Sequence, residues 1–301
     1  MKVLNFGSLN LDYVYDVPHF VRAGETLAST RLSTFCGGKG LNQSIAFARA
    51  GAQTVHAGNV GKEGGMLLDA LREAGVQTSL VSVHDDVASG HAIIQNNADG
   101  ENCILLYGGA NMCVSEEQID RVLADFGKGD LLMLQNEINC LPAIVSRAHE
   151  RGMTVVLNPS PFNERIYELD MACVDYLIVN ETEGEAISGK SEPDAIIETL
   201  LSTYPDMHVV LTLGKNGACY ADKDSRAFHP ILPAAVVDTT AAGDTFTGYF
   251  FCELMQGSTP YEALRMASAA SSLAVSRKGA SVSIPCREDV CAMLSTYTDK
   301  E

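Results

Sequence analysis

The stretch 237–246, VDTTAAGDTF, carries the residues best suited to chemistry in this chain. It follows a strand-like run and opens an apolar helical pattern, with small residues at the junction. The first amides of such a helix are open to an anion, and the helix dipole favours negative charge there. We therefore predict that Asp244 takes a proton from an attacking hydroxyl while the amides of Ala242 and Gly243 stabilise a transferring phosphoryl group. An Asp that only complements the dipole is the alternative.

Two other polar segments, each next to a predicted strand or helix, could bind a small ligand. In FCGGKGLNQ, at 35–43, paired glycines before a helical segment allow the backbone to approach a ligand, and Lys39 and Asn42 add donors. In GSLNLD, at 7–12, Asn10 and Asp12 alternate onto one face of an extended segment, which suits vicinal hydroxyls. Taken alone, the first could be a flexible glycine-rich junction and the second a turn.

The common nucleotide-binding and hydrolase motifs are absent from the sequence. Neither GKE at 61–63 nor GKG at 38–40 continues as a P-loop, and the latter also fails as GxGxxG. No GxSxG occurs. These absences argue against a P-loop enzyme, a Rossmann-type oxidoreductase and a serine hydrolase.

The excess of acidic residues indicates which kinds of molecule we do not expect the protein to bind. Among 301 residues, 38 are acidic and 21 basic, which gives a formal charge of −17. Such a surface repels nucleic acid and anionic membranes, so we expect neither as a partner. The N-terminus does not resemble a signal peptide, and no apolar run approaches a membrane span. Nine cysteines without a CxxC pair indicate reduced thiols and a cytoplasmic location rather than a zinc site.

Apolar strand-like runs alternate with helical patterns along the chain, which predicts βαβ units in a doubly wound, mostly parallel α/β sheet flanked by helices. The strand runs are 3–8, 54–60, 131–137, 155–158, 176–180 and 209–214. The helical patterns are 39–51, 64–75, 115–125, 141–151, 193–204, 242–257, 260–275 and 287–297. Segments 12–36 and 88–107 instead predict a small antiparallel β lid, with a turn at 98–102. We expect a single domain, 1–301, that includes this lid.

Together these motifs, in this order, resemble the ribokinase-type (PfkB) carbohydrate kinase family. Further resemblance lies in NETE at 180–183, TLGKNG at 212–217 and RKGA at 277–280, so it runs through almost the whole chain. The resemblance implies a kinase that transfers a phosphoryl group from ATP to a sugar hydroxyl. The DTTAAGD form, with Ala241 where many relatives carry Gly, favours D-ribose as the acceptor and ribose 5-phosphate as the product.

The resemblance also assigns the sugar site. It makes Asp244 the general base and Gly243 part of the anion hole. The positions that match the family's sugar-binding residues are Asn10, Asp12, Gly38, Lys39, Asn42 and Glu137. One departure is Asn136, which stands where an apolar residue is expected before that Glu.

On the nucleotide side, the resemblance implies ATP with hydrated Mg²⁺, the latter linked to Glu183. The matching ATP-site positions are Asn180, Glu183, Thr212, Gly214, Gly217, Gly243 and Ser268, where Ser268 replaces a frequent His. A monovalent cation, K⁺, is implied at Asp238, Thr240, Ala274, Arg277, Gly279 and Ser283. Relatives also pair through their lids, so a homodimer is expected.

Three alternatives stay open. The acceptor could be fructose, a nucleoside or pseudouridine, or a deoxy sugar acid. The protein could be a catalytically silent sugar sensor, although a sensor would not need Asp244. A Rossmann-like oxidoreductase would need the dinucleotide fingerprint that the sequence lacks.

Overall fold

The computed structural model describes residues 1–99 and 101–297. Its strands are β1 Val3–Phe6, β2 Asn10–Asp16, β3 Arg31–Gly37, β4 Thr54–Gly61, β5 Gln77–His84, β6 Gly90–Asn96, β7 Asn102–Tyr107, β8 Leu131–Gln135, β9 Thr154–Asn158, β10 Tyr176–Asn180, β11 His208–Thr212, β12 Ala218–Ala221 and β13 Arg226–His229. Its α-helices are α1 Lys39–Arg49, α2 Gly65–Glu73, α3 Glu116–Leu123, α4 Leu141–Glu150, α5 Glu181–Ser188, α6 Pro193–Thr203, α7 Ala242–Met255, α8 Pro260–Val275 and α9 Arg287–Thr296.

The central sheet has the strand order β13-β12-β11-β10-β9-β8-β1-β4-β5. From β5 to β11 all neighbours pair in parallel, and β12 and β13 continue the sheet antiparallel. The chain leaves β1 toward β4 and β5 and later returns to β8 on the other side of β1. In open α/β sheets such a reversal of strand order places a ligand crevice at the carboxyl ends of the strands. The predicted mostly parallel α/β sheet is confirmed.

Side chains of the central strands alternate between two apolar layers, so helices must cover both faces. On β8, Leu132 and Leu134 pack with α3, α4 and α6, whereas Leu131 and Met133 pack with α7 and α8. α7 is buried almost all round, because it lies between α1 and α8. The helix that begins beside Asp244 is therefore held rigidly against the sheet.

A second sheet, ordered β3-β2-β6-β7, forms the predicted lid. Its two outer pairs are antiparallel, as expected, while the central pair β2–β6 is parallel. The pairing is parallel because β2 and β6 leave the central sheet from the neighbouring strands β1 and β4–β5 in the same direction. Gly100, within the predicted turn at 98–102, lies outside the described residues, as do residues 298–301.

The sequence prediction missed several short elements. β5, β12 and β13 were not predicted, and neither was α5, because its first turn is the NETE run that was interpreted only as a motif. No helix within 1–99 and 101–297 combines the length and apolar character that a membrane span requires.

Candidate active site

Asp244 lies in the first turn of α7 and is buried, with 7% of its surface exposed. Its two carboxylate oxygens accept hydrogen bonds from neighbouring residues of α1. Asn42 Nδ2 donates to Oδ2 at 3.1 Å, and Gln43 Nε2 donates to Oδ1 at 2.9 Å. The two amide donors fix the orientation of the carboxylate, as the predicted role of a general base requires.

The start of α7 offers amides to an anion. Ala241, the residue before the helix, has φ = 60°, a left-handed conformation that favours glycine. The amide of Ala242 donates to Thr239 O at 3.2 Å, so it is already used within the protein. In the described chain the amides of Gly243 and Asp244 have no acceptor. These two, rather than the predicted pair Ala242 and Gly243, are the free donors.

Glu137 ties the end of β8 to the start of α1. Its Oε2 accepts from the amide of Lys39 at 2.9 Å and from the hydroxyl of Ser8. Ser8 Oγ in turn accepts from the amide of Gly40 at 3.2 Å. Burial raises the pKa of Glu137, although Lys39 and these hydrogen bonds oppose the shift. The carboxylate therefore lies in a place where a ligand hydroxyl would be a favourable partner.

Lys39 interacts electrostatically with three carboxylates of the site. Burial alone would lower its pKa, but the charges of Asp244, Glu137 and Glu183 outweigh burial and leave the pKa above its ordinary value. Lys39 is therefore a cation that interacts with Asp244, Glu137 and Glu183.

Asn10 and Asp12 lie on β2, on the lid side of this cluster. Asn10 Oδ1 accepts from Asn111 Nδ2 at 2.7 Å, which turns the Asn10 amide nitrogen away from that contact. Burial and the charge of Glu137 raise the pKa of Asp12 to about 7. Gly37 faces Asp12, and a Cβ there would lie 2.1 Å from its Oδ2. Gly38, at φ = 93°, starts α1 in a conformation that other residues rarely adopt.

A groove of about 200 Å³ runs from Asp244 along the carboxyl ends of β9, β10 and β11. Its walls are Lys39, Asn158, Ser160, Ile178, Val179, Asn180, Glu183, Thr212, Thr239, Ala241, Ala242, Gly243, Asp244 and Thr247. Asn180 and Glu183 form a capping box at the start of α5, each accepting from the other's amide. The predicted nucleotide residues Asn180, Glu183, Thr212 and Gly243 therefore share one groove with the base.

Three other predicted nucleotide residues lie apart from the groove walls. Gly214 and Gly217 flank the short 3₁₀ turn after β11, and both have positive φ. Gly217 could not carry a side chain, because a Cβ would lie 2.2 Å from His229 O. Ser268 is buried in α8.

Two of the predicted cation residues, Thr240 and Gly279, contact a third, Asp238. Its Oδ1 accepts from the amide and hydroxyl of Thr240 at 2.9 and 2.6 Å, and its Oδ2 accepts from the amide of Gly279 at 2.9 Å. Burial opposes these hydrogen bonds, but together they lower the pKa of Asp238. Arg277 instead pairs with Asp289 through its side chain.

The same loop holds the two remaining predicted cation positions. Ala274 O accepts from the amide of Arg277 at 3.1 Å, and the Ser283 hydroxyl donates to Ala280 O at 2.7 Å. The carbonyl oxygen of Ala274 and the donating hydroxyl of Ser283 each keep a lone pair, so both oxygens could still face a cation.

The unexpected Asn136 has a structural partner. Its side-chain amide donates to Pro161 O at 2.7 Å, and its backbone amide donates to Ser160 O at 3.1 Å. Asn136 therefore anchors the loop after β9 beside Glu137, which an apolar residue could do only through its backbone.

Sequence reasoning missed five polar residues that support the site. These are Ser8, Gln43, Asn111, Gln135 and Asn158. Gln135 could have been found, since it is the one polar residue in the run LLMLQ of a buried strand. Asn111 carried no such signal, because only the fold brings it next to Asn10.

Comparison with known proteins gives consistent matches over the chain. The model of the family described as pfkB family carbohydrate kinase matches residues 1–287. A ribokinase from Staphylococcus aureus is 34% identical over 96% of this chain and 98% of its own length. A deoxyribokinase from Salmonella typhi is 30% identical over 98% and 99%. The structure of Arabidopsis thaliana ribokinase complexed with ribose and ATP superposes with a TM-score of 0.87, at 29% identity, and covers 97% of this chain and 98% of that one.

Proposed function

Because the chain belongs to the pfkB family of carbohydrate kinases, we propose that it transfers the terminal phosphoryl group of ATP to D-ribose, giving ribose 5-phosphate. The family identifies a phosphotransferase with an alcohol group as acceptor. The observation that carries the proposal is the position of Asp244, where a groove with free helix amides meets a cluster of sugar-binding polar groups.

The sugar lies between β2 and the start of α1. Asp12 and Glu137 accept ring hydroxyls, and the amide nitrogen of Asn10 donates. Asn42 Oδ1 is buried without a hydrogen-bond partner in the described chain, which leaves it free to accept another hydroxyl. The backbone of Gly38 and the ammonium group of Lys39 complete the pocket. Asp244 then takes the proton of the hydroxyl that attacks the phosphorus.

The ATP phosphates lie in the groove, with the amides of Gly243 and Asp244 toward the transferring group and Lys39 beside it. Asn180, Thr212, Gly214 and Gly217 border the rest of the nucleotide, and Ser268 lies behind it. The carboxylate of Glu183 suits hydrated Mg²⁺, which would neutralise the phosphates when bound.

The loop at 274–283 is the proposed K⁺ site. Asp238, which also accepts from Thr240, links this loop to the segment before α7, so an ordered loop would hold the free amides of that helix in place. The backbone carbonyls of Ala274, Arg277 and Gly279, with Ser283, would supply oxygen ligands.

ADP release tests the function directly. Purified protein would receive Mg-ATP and K⁺ with D-ribose, 2-deoxyribose, fructose, adenosine or pseudouridine supplied separately. We expect the highest kcat/KM on ribose. The Salmonella relative is a deoxyribokinase, so 2-deoxyribose is the main competing acceptor. A higher kcat/KM on 2-deoxyribose would support the proposed mechanism but show that ribose is not the preferred acceptor. A folded, ATP-binding protein that turns over none of a wider acceptor panel would favour the sugar sensor instead.

Sugar binding should depend on pH through Asp12. We expect the KM for ribose to rise about tenfold from pH 8 to pH 6, because a protonated Asp12 loses an acceptor as pH falls through its pKa of about 7. Steady-state kinetics at fixed ATP would measure this. A ribose KM in Asp12→Asn that still rises at low pH would contradict the assignment.

The same raised pKa has a consequence for stability. The folded protein holds the Asp12 proton more tightly than the unfolded chain, so stability from this group falls as pH rises from about 4 to about 7. Without ribose, Asp12→Asn should therefore have a higher Tm than the wild type at pH 8 and an equal Tm at pH 4. Differential scanning fluorimetry at the two pH values would test this.

We also propose a homodimer formed through the lids. The last strand of the lid, β7, is exposed along its length, with Ile104, Leu105, Leu106 and Tyr107 each 49–67% exposed. An exposed apolar edge strand of this kind is usually covered by a partner. The nine free cysteines support a cytoplasmic location, where thiols stay reduced.

Leu105→Lys should convert the dimer to a monomer, because the new charge would be buried in the apolar contact. Light scattering after size-exclusion chromatography would measure the mass. Val83→Lys, which replaces an exposed apolar residue of β5 outside the lid, is the matched control and should stay dimeric. A wild-type protein that is already monomeric would contradict the proposal.

A further inference from the structure

We propose that Gln43 is a positioning residue for the base. In this proposal Gln135 and Asn5 orient its carboxamide so that Nε2, and not Oε1, faces Asp244. The inference rests on the proposed function, because it concerns how Asp244 is prepared to accept a proton. All three side chains are completely buried, Gln43 on α1 and Gln135 and Asn5 on the strands β8 and β1. They form one continuous hydrogen-bonded chain behind the carboxylate.

One end of the chain is fixed by a backbone carbonyl. Gly40 O can only accept, so Asn5 must point Nδ2 toward it, at 2.9 Å, and Oδ1 away. Gln135 Nε2 donates to that Oδ1 at 3.0 Å and to Gln43 Oε1 at 2.6 Å. Both of its protons are used, and a flipped Gln135 would place its oxygen against two other oxygens. Gln43 must therefore direct Nε2 away from Gln135.

The other end of the chain imposes the same direction. Asn158 is the register partner of Gln135 on β9, and its Nδ2 donates to Ile178 O at 3.0 Å. Its Oδ1 therefore faces Gln43 and accepts from Nε2 at 3.2 Å. The second proton of Gln43 Nε2 goes to Asp244 at 2.9 Å. Two backbone carbonyls, that of Gly40 in α1 and that of Ile178 in β10, thus determine independently which atom of Gln43 contacts Asp244.

Burying these hydrogen-bonded polar side chains has a cost in folding free energy. Gln135 Oε1 has no hydrogen-bond partner in the described chain, although burying an unpaired polar atom is unfavourable. A leucine at this position would avoid that penalty. Gln135 instead presents two N–H donors. These donors orient Gln43, and Gln43 in turn contacts Asp244.

Two substitutions of Gln135 test the proposal. Gln135→Glu keeps the shape but, when ionised, can only accept, so it would draw Gln43 Nε2 away from Asp244. Gln135→Met removes the donor without adding charge. For both we expect kcat for ribose to fall at least tenfold while the KM for ATP and for ribose changes less than twofold. Active-site concentration, from ATP-binding titration, would correct for any unfolded protein.

The pH profile separates positioning from mere packing. Without its Gln43 donor, Asp244 takes up a proton more readily, so the acid limb of the kcat profile should move to higher pH by about half a unit or more. The charged groups that act on Asp244 are Lys39 and Glu137, and both are unchanged in these variants. Gln135→Met is decisive for this shift, because it adds no charge of its own.

Gln118→Leu is the matched control, since it removes another buried amide, which donates to Gly58 O away from Asp244. It should lower Tm without moving the profile. If the wild type turns over ribose but Gln135→Met keeps kcat and pH profile, the proposal is wrong and the function stands. A wild type that turns over no sugar would overturn the function instead.

Discussion

Replacing Asp244 with Asn is expected to lower kcat about 10³-fold, the largest effect of any single substitution considered for this enzyme. Asn cannot take the proton of the attacking hydroxyl. Its amide group would also face one of two amide donors, from Asn42 and Gln43, so one donor loses its partner. We expect a stability loss of about 1 kcal/mol from that lost hydrogen bond.

Single-turnover ADP formation would measure the effect on catalysis, chemical denaturation would measure the loss of stability, and equilibrium ATP binding would show whether the groove is intact. The variant should bind ATP nearly as well as the wild type, because the groove and the amides of Gly243 and Asp244 remain. Asp69→Asn, at an exposed position of α2, is the matched control and should keep full activity. Retention of more than a tenth of the wild-type kcat in Asp244→Asn would rule out Asp244 as the base.

Gly248→Ala is expected to have the second largest effect, although it lies outside the site. A Cβ on Gly248 would lie 2.4 Å from Ala46 Cβ and 2.7 Å from the backbone of Phe47, so α7 would have to move away from α1. Asp244 belongs to one helix and its two donors to the other. A displacement of about 1 Å in such an arrangement can lower kcat about 10²-fold.

Stability should change in the direction opposite to helix propensity. Ala favours a helix over Gly by about 1 kcal/mol, yet overpacking costs about 1–3 kcal/mol, so we expect a lower Tm. Gly65→Ala is the matched control, because a Cβ at that helical glycine meets open space. It should keep Tm and kcat. An unchanged kcat in Gly248→Ala would show that the two helices can separate without disturbing the base.

Much of the fold follows from hydrophobic pattern. The runs at 54–60 and 131–137 and the pattern at 260–275 correspond to β4, β8 and α8, because buried parallel strands and long amphipathic helices leave strong signals. β5 left a weaker one: it is an edge strand whose residues are exposed or only half-buried. β12 and β13 are four residues each, too short to stand out from a turn.

The candidate site was predictable where one motif supplies both the residue and its position. Asp244 and the small residues before it are an example. Every helix start has free backbone amides in its first turn, so the motif that starts the helix also fixes where these amides lie. Ala242 shows the limit, because its amide bonds to Thr239 O, a detail of turn geometry that sequence does not contain. The chain from Asn5 to Gln43 needed three separate strands and a helix to come together.

The parallel pairing in the middle of the lid limits the order in which this protein can fold. Asn10 pairs with Gly90, and between them the chain must form α1, β4, α2 and β5. A parallel pair cannot arise as a local hairpin, and closing so long a loop is slow. We therefore expect the lid to assemble after β1, β4 and β5, three of the nine strands of the central sheet. Because β7 is exposed along its length and makes few buried contacts, we expect it to be among the first elements of a single chain to open.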